Sequence, residues 1–527
     1  MASPIPKKAK KVAIIGAGIS GILACKHALE KGFDPIVFEA RSCIGGVWCS
    51  TIDSTRLQTP KEYFEFSDFA WPDSVVEAFP DHNQVLDYVR SYAVRFEVVP
   101  RIRFSSKVTA LDYCLSFVDD DDGGDGGGGD WRLWGGSGEA FSCKGKWSVV
   151  VEDVLQPLQP PMVYEMDFVI LCIGKFSDVP NVPDFAPSIR ALFDGEVLHS
   201  MNYAAMDKIQ AAKFTENKRV VVVGFQKSAA DTATEIAKNN GPKHPCTLLF
   251  RRVHWAGSED MIKFTLRNLT RFSELMVHKP AEGLILWFLA LLLSPLRWIF
   301  SKLVECYLRW IYPLNKYNMV PEHSFLKQIC SCMFMILPRD FYGRVREGSL
   351  ILRKSNAVGF YGKGLLLDGG TSRLETDVVI FATGYKSDEK IAGIFSSLEF
   401  KKCITGSSAP FYRECKHPRI SQLAILGYSE GPATLFTFEM RSKWLAHFLA
   451  GKFRLPPVAE MEANVRRWDA NARRYSCENY KRACVGVMLQ LHCNDEICRD
   501  IGSNPKRKKW FFSEIFSPYH PTDYADL

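Results

Sequence analysis

The stretch Lys11-Val12-Ala13-Ile14-Ile15-Gly16-Ala17-Gly18-Ile19-Ser20-Gly21 decides the fold. A strand-length run, apolar after Lys11, leads into G-x-G-x-x-G, and a helical pattern follows to Lys31 before Gly32 stops it. In that context each glycine has a task. Gly16 permits a tight turn, Gly18 lets backbone approach a pyrophosphate, and Gly21 lets helix and strand pack closely, so that phosphates meet the helix N-terminus. Ala17, Ile19 and Ser20 lie between them in the same cradle. Working outward, Pro35-Ile36-Val37-Phe38-Glu39 is a second strand, ending in a carboxylate 23 residues after Gly16 that can accept hydrogen bonds from a ribose. A bare glycine triplet would be weak; strand, loop, helix, strand and acid together make a dinucleotide-binding unit. Lys7, Lys8, Lys10 and Lys11 before an apolar run also imitate a signal peptide, but the spaced glycines argue for a buried strand and its turn.

A second unit starts at Arg219-Val220-Val221-Val222-Val223 and runs through Gly224-Phe225-Gln226-Lys227-Ser228-Ala229 into another helical pattern. Here the loop is degenerate. Gln226 stands where the second glycine is expected and Ala229 where the third is, and Ala still allows close helix packing. Gly224, Phe225, Gln226, Lys227, Ser228 and Ala229 are the expected contacts to a second nucleotide. The next strand, Cys246-Thr247-Leu248-Leu249-Phe250, ends in Arg251-Arg252 where an acid would suit NADH. A cation at Arg251 would pair with a 2′-phosphate and favours NADPH; two solvated arginines are the competing reading. Two more apolar strands, within 166–174 and 377–385, open onto a small residue and glycine, as where a chain crosses between two nucleotide domains. The second of them adds Thr383 and Gly384 to the expected cofactor contacts.

Composition sets outer bounds. A chain of 527 residues, 47% hydrophobic and 24% charged, can bury two to four ordinary globular domains. Its 66 Lys and Arg against 59 Asp and Glu leave +7, too mild to imply nucleic acid. Sixteen cysteines at irregular spacings, many in apolar runs, read as reduced intracellular thiols. Cys43 and Cys49 flank Ile44-Gly45-Gly46-Val47-Trp48 without forming a closely spaced dithiol after the glycine pair, which argues against thiol-disulfide chemistry. No metal site is expected.

At Phe193, Gly195, His199 and Tyr203 the chain meets the signature F-x-G-x-x-x-H-x-x-x-Y, and with it the sequence resembles the class B flavin-containing monooxygenases. The signature lies between the two nucleotide units, as that family requires, and the order of motifs carries the resemblance from Lys11 to about Leu527. Ile44-Gly45-Gly46-Val47-Trp48 resembles the family's flavin-contacting turn. Arg56-Leu57-Gln58-Thr59-Pro60-Lys61-Glu62 and Leu426-Gly427-Tyr428 add to it. The closest look is to plant enzymes that N-hydroxylate pipecolate, carried by Gly224 to Ala229, Pro321-Glu322-His323-Ser324-Phe325 and Phe516-Ser517-Pro518-Tyr519.

The resemblance implies FAD in the first unit and NADPH in the second. It implies a cycle in which NADPH reduces the flavin and dioxygen is captured as a C4a-hydroperoxide. A nucleophilic nitrogen of a small amine or cyclic amino acid then takes one oxygen atom. S-oxygenation, Baeyer-Villiger chemistry, uncoupled NADPH oxidation and a catalytically dead binding partner are the alternatives. Gly46, Val47, Trp48, Leu57, Gln58 and His199 join the implied cofactor contacts, with His199 and Tyr203 holding geometry around the nicotinamide. Gln58 is the catalytic candidate: many animal and fungal relatives carry Asn there, and Gln offers the same donor and acceptor groups on a longer stem. Plant defence signalling is the implied setting and the cytoplasm the expected location.

The expected architecture is α/β, with two Rossmann-like dinucleotide-binding domains, the NADPH domain inserted in a discontinuous FAD domain. Residues 1–185 form the first part of the FAD domain, with a disordered loop at 119–130. Residues 186–370 form the NADPH domain, 371–450 the second part of the FAD domain, and 451–527 a C-terminal helical segment with a solvated basic tail. A helical insertion occupies about 261–348, with an apolar run at 283–296 broken by Ser294, Pro295 and Arg297 and too short to span a bilayer. It is expected to roof the active site, with Trp287, Phe288, His323 and Phe325 as liners; peripheral contact with the endoplasmic reticulum membrane is the less favoured reading.

Overall fold

The computed structural model describes residues 9–114, 136–404, 411–431, 433–477, 484 and 487–527; the loop expected to be disordered at 119–130 lies outside them. Two five-stranded parallel sheets organise the chain. The first runs Leu423–Ile425, Phe168–Leu171, Lys11–Ile15, Asp34–Phe38, Ile102–Arg103 in space. The second runs Leu350–Lys354, Cys246–Phe250, Val220–Val223, Val378–Phe381, Glu196–His199. Their central strands are almost wholly apolar because both faces of each parallel sheet are covered, one by helices and the other by an antiparallel three-stranded meander, leaving little solvent side for polar residues. Phe168, Val169, Ile170 and Leu171 are all buried, as are Val378 through Phe381.

Register decides where the chemistry gathers. Ile15 pairs with both Phe38 and Leu171, so Gly16, Glu39 and Cys172 leave the first sheet side by side. Val223 pairs with Leu249 and Phe381, and Phe381 with His199, so the second sheet ends the same way. In open parallel sheets this carboxyl edge is where ligands bind. The crossovers carry antiparallel three-stranded meanders, 106–166 in the first unit and 358–375 in the second.

Several expectations change. Strand Val378–Phe381 belongs to the second sheet, so the second unit runs past the boundary expected at 370, and the chain rejoins the first sheet only at Leu423. The expected break at Ser294, Pro295 and Arg297 is absent: Leu284–Ile311 is one helix of 28 residues with Pro295 inside it. The basic tail is only half solvated: Arg507 pairs with Asp526 and Lys508 with Asp523, and Tyr524 is fully buried, while Lys506 and Lys509 stay exposed. Cys332 and Cys484, 152 residues apart in sequence, form a disulfide, against the expectation of uniformly reduced thiols. Their spacing carries no sequence signal, because the fold alone brings the two segments together.

Candidate active site

Both carboxyl edges open onto one cleft of roughly 1660 Å³, larger than the few hundred to a thousand Å³ usual for a single small ligand. Its walls come from both units. Gly16, Gly18, Ile19, Ser20, Glu39 and the turn from Gly45 to Trp48 line one side, and Gly224 to Ser228, Arg251, Thr383 and Gly384 the other.

The first loop is built by exclusion of side chains. Gly16 has φ +106°, and a Cβ there would meet the Cys172 carbonyl oxygen at 2.6 Å. Gly46 lies over Gly18, and a Cβ on Gly46 would sit 3.1 Å from the Gly18 Cα. The two glycines thus form a slot between backbones. Helix Ile19–Glu30 begins at Gly18 with no side-chain cap, and helix Lys227–Asn240 begins at Gln226 with none, whereas Asp81 caps His82–Arg95 through the Asn83 and Gln84 N–H groups. Uncapped first turns at a cleft suit phosphate oxygens, so the residues present fit two dinucleotides.

Glu39 is fixed by its own loop: the Ala17 N–H donates to Oε2 at 2.6 Å and the Arg41 N–H to Oε1 at 2.9 Å. Arg41 Nη1 in turn donates to the Gly46 carbonyl and to Ser50 Oγ, both at 3.0 Å, bracing the turn that carries Val47 and Trp48. Ala17 acts through this hydrogen bond, while Gly21 and Ala229 lie under their loops against the strands and are absent from the cleft wall. Leu57 and Gln58 reach the cleft, and Gln58 Oε1 accepts the Ile336 N–H at 3.0 Å, tying the first unit to the insertion.

His199 differs from expectation in placement. It is buried behind the cleft wall, its Nδ1 accepts the Met201 N–H at 3.2 Å, and its ring meets Tyr385 edge-on at 5.2 Å. Burial lowers its pKa, partly opposed by the Gly384 backbone. It therefore supports the 383–385 turn from behind. In the second loop Lys227 pairs with buried Asp231 at 2.7 Å, and burial pushes the Asp231 carboxyl up to about 6 despite that lysine.

Of the expected insertion liners only Phe325 faces the cleft. Trp287 and Phe288 point outward, 44% and 59% exposed, and His323 sits behind His254, whose own pKa burial lowers to about 4. Sequence reading missed Arg41, Lys175, His254 and Glu430, all in the cleft wall. Lys175 directly follows Gly174, three residues past strand Phe168–Leu171, and Glu430 lies just beyond the Leu426-Gly427-Tyr428 segment, so position was the available signal. Lys175 Nζ pairs with Glu430, and Glu430 forms a backbone bridge with Cys484 next to the disulfide.

The model of the family described as FMO-like, flavin-binding monooxygenase-like, matches residues 9–122 and 137–515. The chain is 36% identical to the "Probable flavin-containing monooxygenase 1" of Arabidopsis thaliana over 98% of this chain and 96% of that one. It is 25% identical to the "Dimethylaniline monooxygenase [N-oxide-forming] 2" of Oryctolagus cuniculus over 96% of this chain and 85% of that one. The crystal structure of OTEMO in complex with FAD and NADP superposes with a TM-score of 0.65 at 16% identity, covering 94% of this chain and 99% of that one. The chain belongs to the flavin-binding monooxygenase-like family and is a flavin-dependent monooxygenase.

Proposed function

We propose that this enzyme N-hydroxylates a small amine or cyclic amino acid, pipecolate-like in size, in a plant defence setting. Bound FAD, reduced by NADPH, supplies the activation of dioxygen. The protein supplies binding, orientation and exclusion of water. The observation that carries the reading is the Lys175–Glu430 pair in the cleft wall, with Lys175 nearly buried and Glu430 still partly open. A zwitterionic substrate can exchange with such a pair, its carboxylate meeting Lys175 and its nitrogen meeting Glu430. A nitrogen must shed its proton to act as a nucleophile, and a carboxylate beside it accepts one. Gln58, with its oxygen occupied by Ile336, keeps its amide N–H groups to donate into the cleft and is the proposed catalytic donor.

The test is product analysis by mass spectrometry, with NADPH and FAD, on cyclic amino acids, simple amines and sulfides. A hydroxylamine from the amino acid is expected, and Glu430→Gln, which removes both an ionic contact and the proton acceptor, should lower kcat/KM for it at least roughly tenfold. Sulfoxide or lactone as the only oxygenated product would overturn the reading. So would peroxide equal to the NADPH consumed.

A further inference from the structure

The insertion presents a surface that the active site does not explain. Helix Leu284–Ile311 is attached to the body along one stripe, where Ala290, Ser301, Val304, Glu305 and Leu308 are buried at helical spacing. Glu305 Oε1 accepts the Phe325 N–H at 3.1 Å, and Arg297 Nη1 donates to the Met276 carbonyl at 2.7 Å, so the stripe is pinned from both ends. The opposite face is apolar and open: Leu284, Ile285, Phe288, Leu292, Trp298 and Leu303 are each at least 59% exposed. The most apolar window has mean hydropathy 1.9 and is 11% buried. Solvent-facing helices are ordinarily polar on that side, and a contiguous apolar face marks a surface that meets something else.

A second element continues the patch. Trp510, Phe511 and Phe512 are 71–78% exposed at the start of helix Phe511–Phe516. That helix joins the insertion through short helix Arg271–Glu274: Phe516 packs on Phe272 at 5.3 Å, and just beyond, His278 lies 5.9 Å from Trp287. Lys506 and Lys509, beside those aromatics, are exposed, as is Arg309 on the long helix. The acids adjoining the face are buried in pairs, Glu282 with His278, Glu305 with Lys302 and Glu514 with Arg271. The face is therefore apolar with a cationic rim.

We propose that this face docks on an anionic lipid bilayer, with the long helix lying in the interface plane. Its buried stripe runs from Ala290 to Leu308, so crossing the bilayer would strip the helix from the protein it is pinned to. Lying flat immerses the outer residues and leaves the attached face undisturbed. The lysines and arginine at the rim meet lipid phosphates and carboxylates, and the exposed aromatics sit at headgroup depth.

Flotation of the full-length FAD-loaded protein with vesicles tests this, using phosphatidylcholine alone and phosphatidylcholine with about one quarter phosphatidylserine. Binding to both is expected, at least roughly tenfold tighter with phosphatidylserine. The double variant Leu292→Glu, Trp298→Glu should lose binding to both by more than roughly tenfold while keeping flavin absorbance and NADPH oxidation. Lys506→Glu with Lys509→Glu should remove only the phosphatidylserine gain. Trp510→Ser with Phe512→Ser, away from the long helix, should weaken binding independently. Absence of flotation, or flotation unchanged in the helix variant, overturns the proposal. A dimer in solution that the helix variant dissolves, without vesicle binding, would assign the face to a second copy of the chain and also overturn it.

Discussion

Gly18 and Gln226 hold the same place in two loops and nearly the same backbone conformation, φ −75°, ψ −177° against φ −116°, ψ −178°, yet one is glycine and the other is not. Extended backbone of this kind is open to any residue, so torsion cannot be the reason. The difference lies in what stands opposite. In the first loop the Gly45–Gly46 turn folds down on Gly18, and a longer side chain would fill the slot between them. At the third position a Cβ on Gly21 would collide with the Gly16 carbonyl, whereas Ala229 keeps its methyl fully buried beneath Gly224. Only the first glycine is required twice. Gly16 and Gly224 both have positive φ, and a Cβ on either would press on the carbonyl oxygen of the neighbouring strand, Cys172 or Ala382. A glycine motif thus mixes one torsional requirement with two contact requirements, and the contacts depend on the surroundings.

Four substitutions probe that comparison. Gly16→Ala adds backbone strain to a direct overlap, about 3 kcal/mol or more, and the purified protein should lose its flavin absorbance. Gly224→Ala, equally strained, should instead retain flavin and lose NADPH oxidation at least roughly tenfold; loss of flavin in both would show that the loops do not serve separate nucleotides. Next, Gly21→Ala should cost about 2 kcal/mol by overpacking, while Ala229→Gly should cost only about 1 kcal/mol, a difference readable in thermal melts.

A pH experiment sharpens the contrast between the loops' acids. Asp231 has its folded pKa pushed from 3.8 to about 6, mainly by burial, so the folded state holds the proton more tightly than the unfolded chain. Stability from this group is full below the unfolded value and is lost as pH rises through the folded one. Asp231→Asn should therefore match wild type near pH 4 and exceed it by about 2 kcal/mol at pH 7. Equal denaturation midpoints at both pH values would refute this. Arg251→Ala should lower the NADPH over NADH preference roughly tenfold in kcat/KM, leaving flavin content unchanged.

Much of the fold was legible because parallel strands announce themselves. Runs such as Val220–Val223 are apolar on both faces, and each opens onto glycine where the chain must turn at the sheet edge. The residues expected at those edges, from Gly16 and Glu39 to Thr383 and Gly384, line the cleft. Legibility failed where one residue's role depends on a distant one. His199 belongs to a recognisable signature, yet it stands behind the wall because strand Glu196–His199 takes the outer place in the second sheet. Lys175 and Glu430 are 255 residues apart, and no local pattern couples them.

The long helix shows the limit most plainly. Its sequence is apolar on nearly every side, which is compatible with burial, with roofing and with a bilayer surface alike. The sequence by itself determined two strand-turn-helix units and their order, because those follow from periodicity of 2 and 3.6 and from glycine at fixed offsets. Only the tertiary structure decided which helix face was covered, that Val378–Phe381 joins the second sheet, that Cys332 meets Cys484, and which charges face the cleft. Each of these depends on contacts between segments far apart in the chain, and local propensity carries no information about them.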